Sequence, residues 1–383
     1  MRMIFPWAAA RARAHPVARA DTVERRLRRY CAPVTAQVRA LAGRHPRLAD
    51  LAISFPALLF ALAVPRVRFD PRPAIARVTA GDSLADVAGE ARLALWLRKL
   101  PPEACVRPIP PLPDGALFRR RIINHLPRSP KLAPVWLQAV ADAAVWAHDG
   151  VAVWVARELV RDPHAKLEHL RAISLFAWFS GAPDTAAHAM MAQRWDGSMR
   201  FATALEAARE WLTRIELQVA LGDGPIADMW LTPGHVGGFD FVALRTAADI
   251  AAEAAVMRNC LCTFGYRLAG NRSRLWSVQK DGQRVATLSI GKRYYDPLLN
   301  VVEVKAADNV DASREIWWAA RQWLHRHDVP SLWDNRLPRP APLDRAAWVS
   351  TWRPYWVAKR KIPDWLPLSP SWPAFDAVWR ARV

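Results

Sequence analysis

The spacing of apolar positions changes along the chain and divides it into four regions. Residues 1–130 show short helical repeats cut by prolines. A basic amphipathic stretch over 22–41 carries Arg25, Arg26, Arg28 and Arg29 on both sides of one turn. The apolar run 51–64 reads as one buried helix kinked at Pro56. Asp82 or Ser83 can cap the next helix, which the Pro101–Pro102 pair stops. Prolines 108, 110, 111 and 113 mark a rigid linker. Residues 131–222 read as helical hairpins, with helices expected over 132–147, 151–160, 164–179, 183–195 and 199–221.

The pattern then changes. In 223–329 a glycine- and proline-rich loop zone precedes a short strand at 239–243. A helix follows over 248–257, capped by Thr246 with Asp249 three residues on. Strand-like alternation recurs at 274–279, 284–290 and 298–305. Lys280-Asp281-Gly282 is a hairpin signal between the first two. Asp311 can cap a last helix over 312–327. The tail, 330–383, is interrupted by prolines, and its many tryptophans need burial, so an irregular segment packed on the body is expected. Together these elements give an α+β chain, predominantly helical, with a small antiparallel sheet flanked by helices.

Composition refines this picture. Hydrophobic residues make up 52% and charged residues 23%, which supports a folded core and excludes wholesale disorder. The net charge of +19 is uneven: residues 1–130 hold 23 Lys and Arg against 9 Asp and Glu. A basic front end suggests a polyanion such as nucleic acid; an arginine-rich genome-wide bias is the competing explanation. The four cysteines, Cys31, Cys105, Cys260 and Cys262, form no disulfide framework or zinc spacing, and a reducing cytoplasm is the simplest setting. The N-terminus is a poor signal peptide. The 51–64 run is short of the ~20 residues that span a bilayer, so no stable membrane span is expected. No cofactor motif is present.

Met257-Arg258-Asn259-Cys260, an aromatic at Phe264 or Tyr266, a strand at 273–277 and Thr287-Leu288-Ser289-Ile290 form a recognisable series. Over about 239–328 it resembles the PcfJ-like family. Asn309 stands where that family has an Asn after its third strand. Asn259 replaces the commoner His, Ser289 the acid of the second strand, and Glu303 a Gln of the third. The resemblance implies a bacterial protein from a mobile-DNA setting and brings no established activity with it.

Three readings of function stay open. The first is an accessory protein associated with nucleic acid. Arg25, Arg26, Arg28 and Arg29 would contact phosphates, and Arg267, Arg272 and Arg274 beside Trp276 would suit a single strand. The second is a cysteine-dependent enzyme centred on Asn259 and Cys260. A buried structural role for Cys260 is the favoured alternative there, because a helix C-terminus disfavours a thiolate. His235 and the carboxylates Asp240, Glu253, Glu303 and Asp308 are the groups that could join such a site. The third is a protein-interaction scaffold on the middle helices.

Overall fold

Prolines decide where the first helices begin. The computed structural model describes residues 16–293, 296–327, 342–359 and 372–373. The chain divides into two compact units, Met1–Leu170 and Arg171–Val383. The first contains helices α1 (Pro16–Leu27), α2 (Ala32–Ala42), α3 (Pro46–Ser54), α4 (Pro56–Ala63), α5 (Arg72–Ala80), α6 (Leu84–Glu90), α7 (Ala116–Ile122), α8 (Ala133–Trp146) and α9 (Asp149–Arg161). Pro33, Pro46, Pro56, Pro73 and Pro134 occupy the first or second position of α2, α3, α4, α5 and α8. A missing N–H is harmless there, and the fixed φ suits a first turn.

Two sequence expectations change for this reason. The helix expected over 22–41 stops at Leu27 and restarts at Ala32. The run 51–64 is two helices joined at Phe55, whose φ of −157° and ψ of 72° leave the helical region. Pro56 starts the second helix instead of kinking one. Helix α4 is buried on nearly all sides through Pro56, Ala57, Leu58, Leu59, Phe60 and Leu62. No helix among the described residues is long and apolar enough to cross a membrane. Trp136 ties α8 to α9, its indole N–H donating to the Ala156 carbonyl at 3.1 Å.

Helix α10 (Leu167–Ser180) contains the boundary between the units, and the second unit continues with α11 (Ala186–Ala189) and α12 (Phe201–Leu221). Next come strands β1 (Gly234–Val236) and β2 (Phe239–Ala243), then α13 (Ala247–Met257) and α14 (Gly265–Ala269). Strands β3 (Ser273–Lys280), β4 (Gln283–Arg293) and β5 (Asp296–Lys305), then α15 (Arg314–His325) and α16 (Arg345–Lys359), complete it. The sheet is antiparallel in the order β1-β2-β3-β4-β5. Two tight turns shape it, Gly237–Gly238 and Asp281–Gly282, with positive φ at both residues of each, the conformation a two-residue hairpin requires. The fold is α+β and mostly helical, as expected; β1 and α14 were not legible in the pattern. The helix expected over 183–195 shrinks to Ala186–Ala189, and the one expected to run to the Pro101–Pro102 pair ends at Glu90. The cap of α15 is Ser313, whose side chain accepts from the Ile316 N–H, not Asp311.

Strand alternation sorts the sheet into two faces. Trp276, Val278, Leu288, Ile290 and Val304 pack against Ile316, Ala319, Ala320 and Trp323 of α15. On the other face Leu275 joins Ile250, Ala254, Leu261, Phe264, Leu268 and Leu217 from α12, α13 and α14 and the turn between them. The tail differs from the irregular segment expected of it. Residues 345–359 form a regular helix whose Trp352 and Tyr355 pack on Phe179, each with ring centroids 5.9 Å from it. Asp344 begins that helix by accepting from the Ala347 N–H at 2.7 Å. Trp333, Trp365 and Trp379 lie outside the described residues.

Candidate functional site

The C-terminal end of α13 delivers its residues against the polar side of β4 and β5. The helix is set by a full capping box, Thr246 with Asp249. It ends at Arg258, which adopts the left-handed conformation (φ 47°, ψ 50°) and turns the chain outward. Asn259, Cys260, Leu261 and Phe264 then line a cleft with Thr287 and Ser289 of β4, Glu303 and Lys305 of β5, and Asn309. The cleft is shallow, with a cavity volume of about 20 Å³, and opens to solvent.

Pairing register explains why polar groups meet here. Thr287 lies opposite Ser277 on one side and Lys305 on the other, and Ser289 opposite Glu303. With a side-chain period of two, all of these point to one face. Behind them lies Glu253, fully buried on α13. The Thr287 hydroxyl donates to Glu253 Oε1 at 3.0 Å, and the Asn259 amide donates to Thr287 Oγ1 at 3.2 Å. Arg284 Nε lies 2.9 Å from Glu253 Oε2, out of line for a hydrogen bond. Burial pushes the Glu253 carboxyl above its ordinary range, against the opposing pull of hydrogen bonds from Ser277 and Thr287 and of the Arg284 charge. Polar groups cost free energy to bury, so a connected row of them is an expensive way to build a core.

The rim is held by charge. Arg258 Nε donates to Asp308 Oδ1 at 2.6 Å, and the guanidinium makes a second bond to Oδ2. That contact holds the Asp308 carboxyl below its usual range. Asp308 and Asn309 both take positive φ, so the loop after β5 turns back over the cleft. Lys305 donates to Asp311 at 2.6 Å, which favours its ammonium form, and lies 4.0 Å from Glu303.

Cys260 is exposed, against the expectation of a buried structural cysteine, and its thiol is directed at Asn309 Oδ1 at 4.0 Å. Cys262 takes the buried role, and burial pushes its thiol up to about 11. The two sulfurs part company because residues 261–264 form a turn of 3-10 helix, not the strand that would have placed them on one face.

His235 does not join this site. It sits on β1, at the opposite edge of the sheet from β5, and pairs with Asp240 at 2.8 Å. Of the four carboxylates singled out in the sequence, Glu303 lines the cleft, Glu253 backs it and Asp308 braces its rim. Lys305 was missed; it stands two residues after Glu303 on a strand, which is the signal that could have found it.

The residues expected to contact nucleic acid fare differently. Trp276 is fully buried against Trp323, so it cannot stack on a base. Arg274 is also interior. It donates to the carbonyls of Asp228 and Ser273 and to the Asn271 side chain, and lies over the Trp230 ring, with burial lowering its basicity to about 10. Both are corrections: β3 is covered on both faces, which the alternation alone did not show. Arg267 is exposed and lies over the Phe264 ring, and Arg272 is half-buried. In the first unit Arg28 pairs with Glu24 and Arg29 with Glu103, at 3.1 and 2.7 Å; Arg25 donates to Thr22, and Arg26 is half-buried. Tyr294 and Tyr295, aromatics that the sequence places near this basic cluster, lie outside the described residues.

Among the described residues no group of three His, Cys, Asp or Glu side chains could hold a metal ion. No family model, curated protein or solved structure matches the chain.

Proposed function

We propose that the cleft at the end of α13 is the working site of this protein, and that it acts through the Cys260 thiol on a small polar substrate carrying a carbonyl group. The observation that supports this reading most is the exposed thiol at the edge of a cleft whose polar lining is fixed from behind by a buried network. In the proposed step the thiol proton passes to the Glu303 carboxylate and sulfur bonds to the carbonyl carbon. The carbonyl electron pair moves onto its oxygen, facing the Lys305 ammonium. Asn259 and Asn309 hold the substrate's polar groups.

The test is the alkylation rate of each cysteine by iodoacetamide, read by mass spectrometry of the digested protein. Cys260 is expected to react roughly tenfold faster than the same cysteine in a sequence-matched peptide, and Lys305→Met to remove that advantage. Cys105 and Cys262, both buried, should stay unmodified in the folded protein. A Cys260 rate equal to the peptide's, or unmoved by Lys305→Met, would rule the reading out.

A second reading, association with nucleic acid in a mobile-DNA setting, rests on the PcfJ-like resemblance and the basic first 130 residues. Arg120 and Arg121, exposed at the end of α7, are candidates for phosphate contact. Fluorescence anisotropy of labelled single-stranded DNA, duplex DNA and RNA across a salt series decides it. Binding that weakens steeply with salt supports it, and no binding at low salt excludes it.

A further inference from the structure

The first unit holds a larger cavity than the cleft just described, and it belongs to neither reading above. Arg29, Cys31, Glu103, Val106, Ser129, Pro130, Lys131 and Pro134 surround a cavity of about 560 Å³ that opens to solvent. That size is within the ~300–1,000 Å³ of cavities that hold small organic ligands. The lining divides by chemistry. Val106, Pro130 and Pro134 supply an apolar wall, and Val106 is left 41% exposed although such a side chain gains by burial. The charges do not cancel. Arg29 donates to Glu103 at 2.7 Å, so that pair is internally neutral. Lys131 is exposed and makes no ion pair with another described residue, which leaves one uncompensated positive charge beside the Ser129 hydroxyl. Arg107 and Arg128, next in the chain to Val106 and Ser129, are exposed and add to the positive field.

We propose that this cavity binds a small organic anion with an apolar or aromatic body, its acidic group held by Lys131 and Ser129 and its body laid on Val106, Pro130 and Pro134. Arg29, read from the sequence as a phosphate contact, serves instead as a wall residue fixed by Glu103. The ligand passes beside Cys31, which is half-buried, lines the same space and therefore reports on occupancy.

The reporter makes the test direct. 5,5′-dithiobis(2-nitrobenzoate) is an aromatic disulfide bearing carboxylates, and 2,2′-dithiodipyridine is an uncharged aromatic disulfide. With either, the Cys31 thiolate attacks one sulfur, a mixed disulfide forms, and the other half leaves as its thiolate. Modification of Cys31, assigned by peptide mass, is followed against reagent concentration. The anionic reagent is expected to show a saturating rate, which marks binding before reaction, and the neutral one a rate that rises linearly. Lys131→Glu should lower the efficiency of the anionic reagent about tenfold and leave the neutral one within about twofold. Val106→Asp, on an exposed side chain, should act in the same direction. Naphthalene-1-sulfonate, which cannot react, should slow the anionic reagent in the parent protein and not in Lys131→Glu. Linear kinetics with both reagents, or saturation that both variants leave intact, overturns the proposal.

Discussion

Glu253→Ala is expected to destabilise the second unit by about 3–5 kcal/mol, the range for removing one partner of a buried charged pair. Glu253 is fully buried, accepts from Thr287, and balances Arg284. Its loss leaves the Thr287 and Ser277 hydroxyls without their acceptor and opens a cavity. Arg284 is partly exposed and can turn to water, which puts the expectation toward the lower end. Chemical denaturation followed by tryptophan fluorescence measures it; a loss under about 1 kcal/mol would show that the network contributes little. Glu253→Gln separates shape from charge. Because burial raises the folded carboxyl above its unfolded value of 4.5, Glu253 contributes stability fully present below that value. That contribution is lost as pH rises through the raised folded value, since the unfolded chain ionises first. The stability difference, parent minus Glu253→Gln, should therefore fall as pH climbs above about 4.5. A rising difference would mean that Arg284 and the two hydroxyls outweigh burial. In Glu253→Ala, Asn259 loses the oriented Thr287 acceptor, so the cleft should loosen along with the fold.

Trp276→Ala is the second large effect, at about 3–5 kcal/mol. Trp276 meets the edge of Trp323 at 4.8 Å, and Trp323 stacks on Phe241 at 4.6 Å. Removing the first ring leaves a void under α15 that its neighbours cannot refill. Trp276→Phe should cost less than half as much, because the indole N–H is buried with no acceptor among the described residues and its removal relieves an unmet hydrogen bond. Thermal unfolding of the two variants against the parent checks the order. A Phe variant as damaged as the Ala variant would mean that ring size alone governs the site. Any nucleic-acid binding of the parent should persist in Trp276→Phe under conditions where both are folded.

The sequence alone determined the α+β class, most helices of the middle region and four of the five strands. It did so because side-chain periodicity is local: β2 falls at 239–243 as the pattern predicted, and α13 begins at the Thr246 cap. It also placed Asn259 and Cys260 at a helix end. Their surroundings were set by register. The pairing of Ser289 with Glu303 and of Thr287 with Lys305 joins residues far apart in the chain, and no short-range signal specifies it. Burial was decided in the same way. Trp276 and Arg274 have the composition of a nucleic-acid contact; Trp276 became interior because α15 covers it, and Arg274 because the loops carrying Asp228, Trp230 and Asn271 close over it. Cys260 has the local setting of a structural cysteine and became exposed because one turn of 3-10 helix sends its sulfur and that of Cys262 in different directions. Local spacing fixes which way a side chain leaves the backbone; only the packed tertiary structure decides what it meets there.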